Sequence, residues 1–203
     1  MRYELLSLTI RLGTAPAVVA GIEAHLKAPG AGTLLGCFVS EIGDLNRVIV
    51  FRSFAGDAEI QADRARIHAS TDPFGAGEAI VEMEFTGYAP YPFSPEVVPG
   101  KYGPVYEIRT YRVKHGCLPA VDRVWSPAIP GRVALSPLTV AMYALEGVPR
   151  LTHIWPYASL DDRAEKRARS VAEGVWPPPG GPALLTGDMR SVIALPTAIS
   201  PLT

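Results

Sequence analysis

The chain states one phrase twice. "RYELLSLTIRLGTAPAV" at residues 2–18 returns as "VYEIRTYRVKHGCLPAV" at residues 105–121, setting Tyr3 on Tyr106, Glu4 on Glu107, Gly13 on Gly116, Pro16 on Pro119 and Val18 on Val121 at a constant offset of 103. The same offset sets Phe54 on Tyr157, Arg64 on Arg167 and the run Arg47–Phe54 on Arg150–Tyr157, then slips to 106 where Ser94-Pro95 meets Ser200-Pro201. An internal repeat of this kind constrains the fold strongly, because whatever one copy forms the other must form too. The slip is expected in a loop, where insertions are tolerated.

Each copy reads β-α-β-β-α-β. In the first, Tyr3–Arg11 alternates as a strand, and Thr14 and Pro16 open a helix that Gly30 and Gly32 end near Lys27. Gly36–Glu41 and Arg47–Phe54 form a hairpin around "IGDLN", residues 57–69 form a second helix, and Ala79–Gly87 is a half-buried strand. The second copy repeats the order at 105–113, 117–126, 138–145, 150–157, 159–173 and 189–195, with Ser159 and Asp162 placed as a capping box.

The expected organisation is therefore a first α+β unit over residues 1–88, a connector over 89–104 with five prolines, and a second unit over 105–203. A four-stranded β-α-β-β-α-β sheet carries both helices on one face and leaves the other bare. Two such ferredoxin-like units in one chain can cover both bare faces by packing sheet to sheet as an intramolecular α+β barrel. A monomeric barrel, or a homodimer of barrels, is the expected assembly.

Charge and motifs exclude several functions. A net charge of −1 lacks the basic excess that neutralises phosphates, so nucleic acid is not an expected partner. No apolar run reaches the ~20 residues of a membrane helix. Met1-Arg2 runs straight into strand-like sequence, and Cys37 and Cys117 have no metal spacing, so a reduced, cytoplasmic setting is expected. No Walker loop, nucleophile elbow or zinc-protease helix occurs, and neither a metal nor another cofactor is expected.

"VSEIGDLNRVIVF" (39–51), "YEIRTY" (106–111), "HIWPYASLDDRAEKRA" (153–168) and "GVWPPPGGP" (174–182) resemble the NIPSNAP family, and the resemblance covers nearly the whole chain as a tandem pair. It implies the dimeric α+β barrel fold. It implies no single chemistry, because relatives of that barrel include cofactor-free oxygenases, decarboxylases, cyclases, haem-handling proteins and plain binding proteins. Eukaryotic members of the family are described as mitochondrial adaptors with a presequence, and no such presequence is expected here.

The divergence between the copies marks the candidate site. On one face of the first strand, copy one has Glu4, Leu6, Leu8 and Ile10, whereas copy two has Glu107, Arg109, Tyr111 and Val113. On the third strand, Val48, Val50, Arg52 and Phe54 are replaced by Leu151, His153, Trp155 and Tyr157, all at spacing two. If that face looks into the barrel, it makes an aromatic cavity with a few convergent polar groups, the usual form of a small-molecule site. His153 is then a candidate acid or base, with Arg109, Tyr111 and Glu107 beside it; Trp155, Tyr157, Tyr143 and Trp176 are candidate walls.

The bland reading stands next to this one. Glu107 and Arg109 can form an ion pair in an inter-sheet seam, with His153 satisfied by a carbonyl and Trp176 merely covering core. Glu82 and Glu84 read as a solvated or inter-unit edge before they read as an acid–base pair. "DDRAEKRARS" (161–170) reads as a solvated helix face, with Asp162–Lys166 and Glu165–Arg169 at helical spacing. Two functions follow: a cofactor-independent acid–base enzyme of specialised metabolism acting on an aromatic or polyketide-like substrate, or a non-catalytic adaptor that docks partners on its proline-rich connectors. A haem held through His153 is the weakest alternative.

Overall fold

The computed structural model describes residues 1–203. Its strands are β1 (Arg2–Ile10), β2 (Thr33–Ile42), β3 (Arg47–Phe54), β4 (Ile80–Pro90), β5 (Val105–Val113), β6 (Val140–Ala144), β7 (Arg150–Tyr157) and β8 (Leu185–Pro196). Its α-helices are α1 (Ala15–His25), α2 (Asp57–Ala69), α3 (Leu118–Trp125), α4 (Ile129–Leu135) and α5 (Leu160–Ala172). None of them is long and apolar enough to cross a membrane.

The strands close into one barrel in the order β1-β3-β2-β8-β5-β7-β6-β4, every named pair antiparallel. The two repeat units supply adjacent halves, β4-β1-β3-β2 and β8-β5-β7-β6. Two equivalent seams join them: β2 on β8, with Val39 opposite Leu195, and β4 on β6, with Ala89 opposite Tyr143. Closure removes both exposed edges of each half as well as covering its bare face.

Helices α2 and α5 lie 103 residues apart at both ends, whereas Pro90 of β4 and Pro196 of β8 lie 106 apart. The three-residue slip therefore falls in the proline-rich segment between α5 and β8. Two expectations need correction at the element level. Helix α4 was not expected, because Pro130 and Gly131 stand within its seven residues; Pro130 is tolerated because it sits in the first turn. Strand β4 runs to Pro90, two residues into the expected connector, and Tyr91 and Val97 of that connector are buried in the apolar clusters.

Three apolar layers result. The lumen is filled from both units, with Leu5, Phe38 and Phe51 meeting Tyr106, Ile108 and Ile154. Outside the first half, Leu6, Leu8, Val48 and Val50 pack under Val18 and Ile22 of α1. Outside the second half, Tyr111, Leu151, Trp155 and Tyr157 pack with Val121 and Trp125 of α3 and Ile129 of α4.

The face carrying Glu107, Arg109, Tyr111, His153, Trp155 and Tyr157 is thus the outer, helix-covered face, and not the face that looks into the barrel. Alternation reveals which residues share a face. It does not reveal which side the helices take, and here both sides are covered: seven of the eight residues of β7 are buried.

Candidate functional site

Both halves place a glutamate from the first strand of the repeat on this outer face, fully buried. In the first half Glu4 accepts from Arg52 and from Arg64 (2.7 Å), and Arg52 also donates to Asp63 of α2 (2.6 Å). Asp63 is met in turn by His25 at 3.0 Å. Burial would raise the Asp63 pKa, but the His25 hydrogen bond and the Arg52 charge outweigh it and hold the group down at about 2. Every buried charge of this layer has an opposite partner.

In the second half Glu107 Oε1 accepts from Arg109, from Arg163 of α5 (2.6 Å) and from the Ser191 hydroxyl (2.7 Å). Arg167 approaches Oε2 at 3.7 Å, so the repeat-related pairs Glu4–Arg64 and Glu107–Arg167 keep one contact in common. Burial again pushes Glu107 up, and the Arg163 hydrogen bond, the Arg109 charge, the Ser191 hydrogen bond and the Arg167 charge bring it down to about 2. The ion-pair reading of Glu107 and Arg109 therefore holds, although under a helix layer and not in an inter-sheet seam.

Copy two then departs from copy one. Position 52, where copy one has its pairing arginine, corresponds to Trp155. The indole N–H of Trp155 donates to Nδ1 of His153. An indole nitrogen can only donate, so Nδ1 carries no proton, and the neutral ring must carry its proton on Nε2. No carbonyl satisfies that Nε2–H: it is buried and has no partner. Burial, and after it the Arg109 charge, press the His153 pKa well below its ordinary value, with Glu107 opposing. The ring is thus a neutral hydrogen-bond donor through Nε2.

Rings enclose it edge-on, with Tyr111 at 4.9 Å, Trp125 at 5.1 Å and Trp155 at 5.9 Å between centroids. That packing does not fit a haem plane beside His153. No group of three or more His, Cys, Asp or Glu converges to hold a metal ion.

Helix α4 brings the residue that sequence reasoning missed. Arg132 is 2% exposed, stacks over the Trp155 ring at 4.3 Å and donates to the Tyr157 hydroxyl at 3.2 Å. It has no carboxylate within 4.0 Å, and its Nη1 has no partner. Nearby Ser136 Oγ, Arg163 Nε and Glu107 Oε2 are also buried without hydrogen bonds. Four arginines, Arg109, Arg132, Arg163 and Arg167, thus act on a single carboxylate.

Among the predicted walls, Trp155 and Tyr157 lie inside this layer, and Trp176 closes it over Trp125 at 4.6 Å. Tyr143 packs at its edge against Tyr91. The α5 sequence read as a solvated face is so only in part. Asp162–Lys166 is present at 2.9 Å, but Arg169 pairs with Glu173 and not Glu165, and Arg163 and Arg167 turn under the helix. A signal for Arg167 existed in its register with Arg64; none existed for Arg132, on a helix absent from the reading.

An eight-stranded antiparallel barrel closed within one chain, helices outside and two repeat-related halves, defines a tandem α+β barrel protein. The NIPSNAP family model matches residues 3–95 and again 106–201, and the chain belongs to the NIPSNAP family. Solved structures alike over the full length include a provisionally assigned monooxygenase from Lactobacillus acidophilus NCFM, with 12% identity, 95% of this chain and 93% of that chain covered and a TM-score of 0.65. An anthrone oxidase-like protein shows 14% identity, 97% and 91% coverage and a TM-score of 0.63. At these identities both establish the fold alone. A NIPSNAP family protein with unknown function from Agrobacterium tumefaciens is 32% identical over 50% of this chain and 96% of its own, at a TM-score of 0.45. No curated protein matches the chain significantly.

Proposed function

We propose that the helix-covered layer of the second half binds a small anionic or enolisable molecule, and that the protein is a cofactor-independent barrel enzyme acting on an aromatic or polyketide-like substrate. The observation that carries this reading is Arg132, a buried cation with no carboxylate partner and one donor unmatched. A buried cation with no carboxylate in contact, its nearest counter-charge Glu107 already paired with other arginines, is expensive, so a natural chain that keeps one has a use for it. The unmatched Nε2–H of His153 in the same aromatic layer supplies a second donor.

Together they form the kind of donor set that stabilises an oxyanion or enolate as it develops, with neutral His153 offering its Nε2–H as a hydrogen bond. Trp155, Trp125 and Tyr111 pack around these donors as an apolar aromatic shell. The full-length fold neighbours described as monooxygenase and anthrone oxidase-like are compatible with oxidation of such a substrate, and the reading takes from them the reaction class only. The adaptor reading loses two anchors, because Tyr91 and Val97 of the connector are turned inward.

Mass spectrometry of molecules that co-purify with the protein identifies the ligand. With its substrate in hand, His153→Ala is expected to lower kcat about 100- to 1,000-fold, the usual effect of losing one oxyanion donor, with circular dichroism unchanged. Undiminished turnover removes His153 from the mechanism.

A further inference from the structure

The barrel lumen holds a second constellation that the layer described above does not use. One end is plugged by the lumen core. The other opens into a cavity of about 260 Å³ lined at spacing two by successive strands, including Leu5 of β1, Ile49 of β3, Thr86 and Tyr88 of β4, and Ile108 and Thr110 of β5. This is slightly below the ~300–1,000 Å³ typical of drug-sized sites, which fits a small ligand. Its throat carries a hydroxyl chain, Thr110 to Thr152 at 3.0 Å and Thr152 to the Tyr88 phenol at 3.2 Å.

Its rim is unevenly charged. On the second-half wall Arg112, Arg150 and Arg190 converge from three adjacent strands: Arg112 stands directly opposite Arg150, and Arg190 opposite Thr110. Like charges directly opposite across strands are destabilising. Asp188 pairs with Arg112 at 2.9 Å, whereas Arg150 and Arg190 have no carboxylate within 4.0 Å. Arg150 also acts inward: burial raises the Tyr88 phenol pKa, and the Arg150 charge is among the influences that oppose this. On the facing wall Asp44 and Glu84 flank Arg47 at 3.9 and 4.0 Å, which leaves that cation matched.

We infer that this mouth is a second binding site, for a small carboxylate with a short apolar body. The carboxylate is held by Arg150 and Arg190, and the body lies in the throat between Leu5, Ile49, Ile108 and Val192. A planar guanidinium matches a carboxylate with two parallel hydrogen bonds, and the bound anion offsets the repulsion on the arginine wall. The hydroxyl chain below meets any polar substituent that the body carries.

Benzoate is the probe, with benzamide as its uncharged counterpart and inorganic phosphate as an anion without an apolar body. Titration calorimetry and amide shifts in ¹H–¹⁵N spectra are read on the intact protein. The expected result is saturable benzoate binding that perturbs the Ile108, Thr110 and Val192 amides, weakens as salt rises, and is at least tenfold tighter than benzamide or phosphate binding. Arg150→Gln/Arg190→Gln is expected to weaken it at least tenfold, whereas Arg123→Gln, which removes an exposed arginine from outer helix α3, leaves it unchanged. Should the double variant misfold, the exposed Arg190→Gln alone still has to weaken binding measurably.

Three outcomes overturn the inference: no saturable benzoate binding; wild-type affinity in the arginine variants; or amide shifts confined to the helix-covered layer. Phosphate binding as tightly as benzoate overturns the assignment of an apolar throat.

Discussion

Two buried arginines with opposite circumstances give the sharpest test at the scale of single residues. Arg52 joins two buried carboxylates, whereas Arg132 has none. Arg52→Met removes the cation that bridges Glu4 and Asp63, leaving Glu4 to Arg64 and Asp63 to His25 and Arg66, and is expected to lower stability by about 3 kcal/mol in urea unfolding. Arg132→Met removes an unmatched charge and keeps its apolar stem, so stability is expected to hold or rise while ligand binding in the layer is lost. Equal destabilisation by both would make Arg132 an ordinary structural residue. The pH response separates the same groups. His153 stays neutral in the native state at a pH where the unfolded chain, with an ordinary value near ~6.5, takes up a proton, so native stability falls as pH drops below that value. His153→Gln is expected to flatten this slope between about pH 7 and 5 in urea titrations. A second loss belongs to Glu107 and Asp63, both held at about 2: their stabilisation is complete above the ordinary carboxylate range and disappears as pH falls toward about 2.

Helix α5 shows at the scale of elements how one segment serves both solvent and site. Its start is fixed by a reciprocal cap, with the Asp162 N–H donating to Ser159 Oγ at 3.0 Å and the Ala158 N–H to Asp162 Oδ2 at 3.0 Å. This was legible in the sequence because a capping box is local chemistry. Ser159→Ala is expected to reduce stability by about 1 kcal/mol in urea unfolding, and to raise hydrogen exchange in the turn that presents Arg163 to Glu107. The sandwiching of β5 and β7 was not legible. A strand with one wet face announces its inside by alternation, but lumen and helix layer both bury these strands, so the candidate residues could be read as sharing one face while the side that face takes could not. Helix α4 escaped for a different reason: at seven residues with Pro130 and Gly131, its stability comes from packing on Trp155 and Tyr157 and not from local propensity.

Closure sets the properties of the whole molecule. The repeat made the barrel legible, since two units with one bare face each have few other ways to bury both. The seams were not, because edge pairing depends on register between segments as far apart as Val39 and Leu195. A chain ended at Pro90 would expose the edges of β2 and β4 together with the lumen face bearing Leu5, Phe38 and Phe51. It is expected to be insoluble, or to dimerise through that sheet in light scattering; a soluble, well-folded monomer would show that the halves do not depend on each other.

Covalent fusion of the halves also changes how many copies of a site a barrel must contain. In a barrel assembled from two identical chains, every side chain occurs twice by symmetry, and a substitution that builds a ligand pocket in one half installs it in the other. Here Glu4 and Glu107 are kept in both halves, but His153 and Trp155 stand where the first half has Val50 and Arg52. The first half is free to remain a scaffold whose buried arginine is paired, while its twin carries the buried arginine with no carboxylate in contact, so the helix-covered layer should take up one ligand per barrel, a stoichiometry that a symmetric dimer cannot adopt without breaking its own two-fold axis.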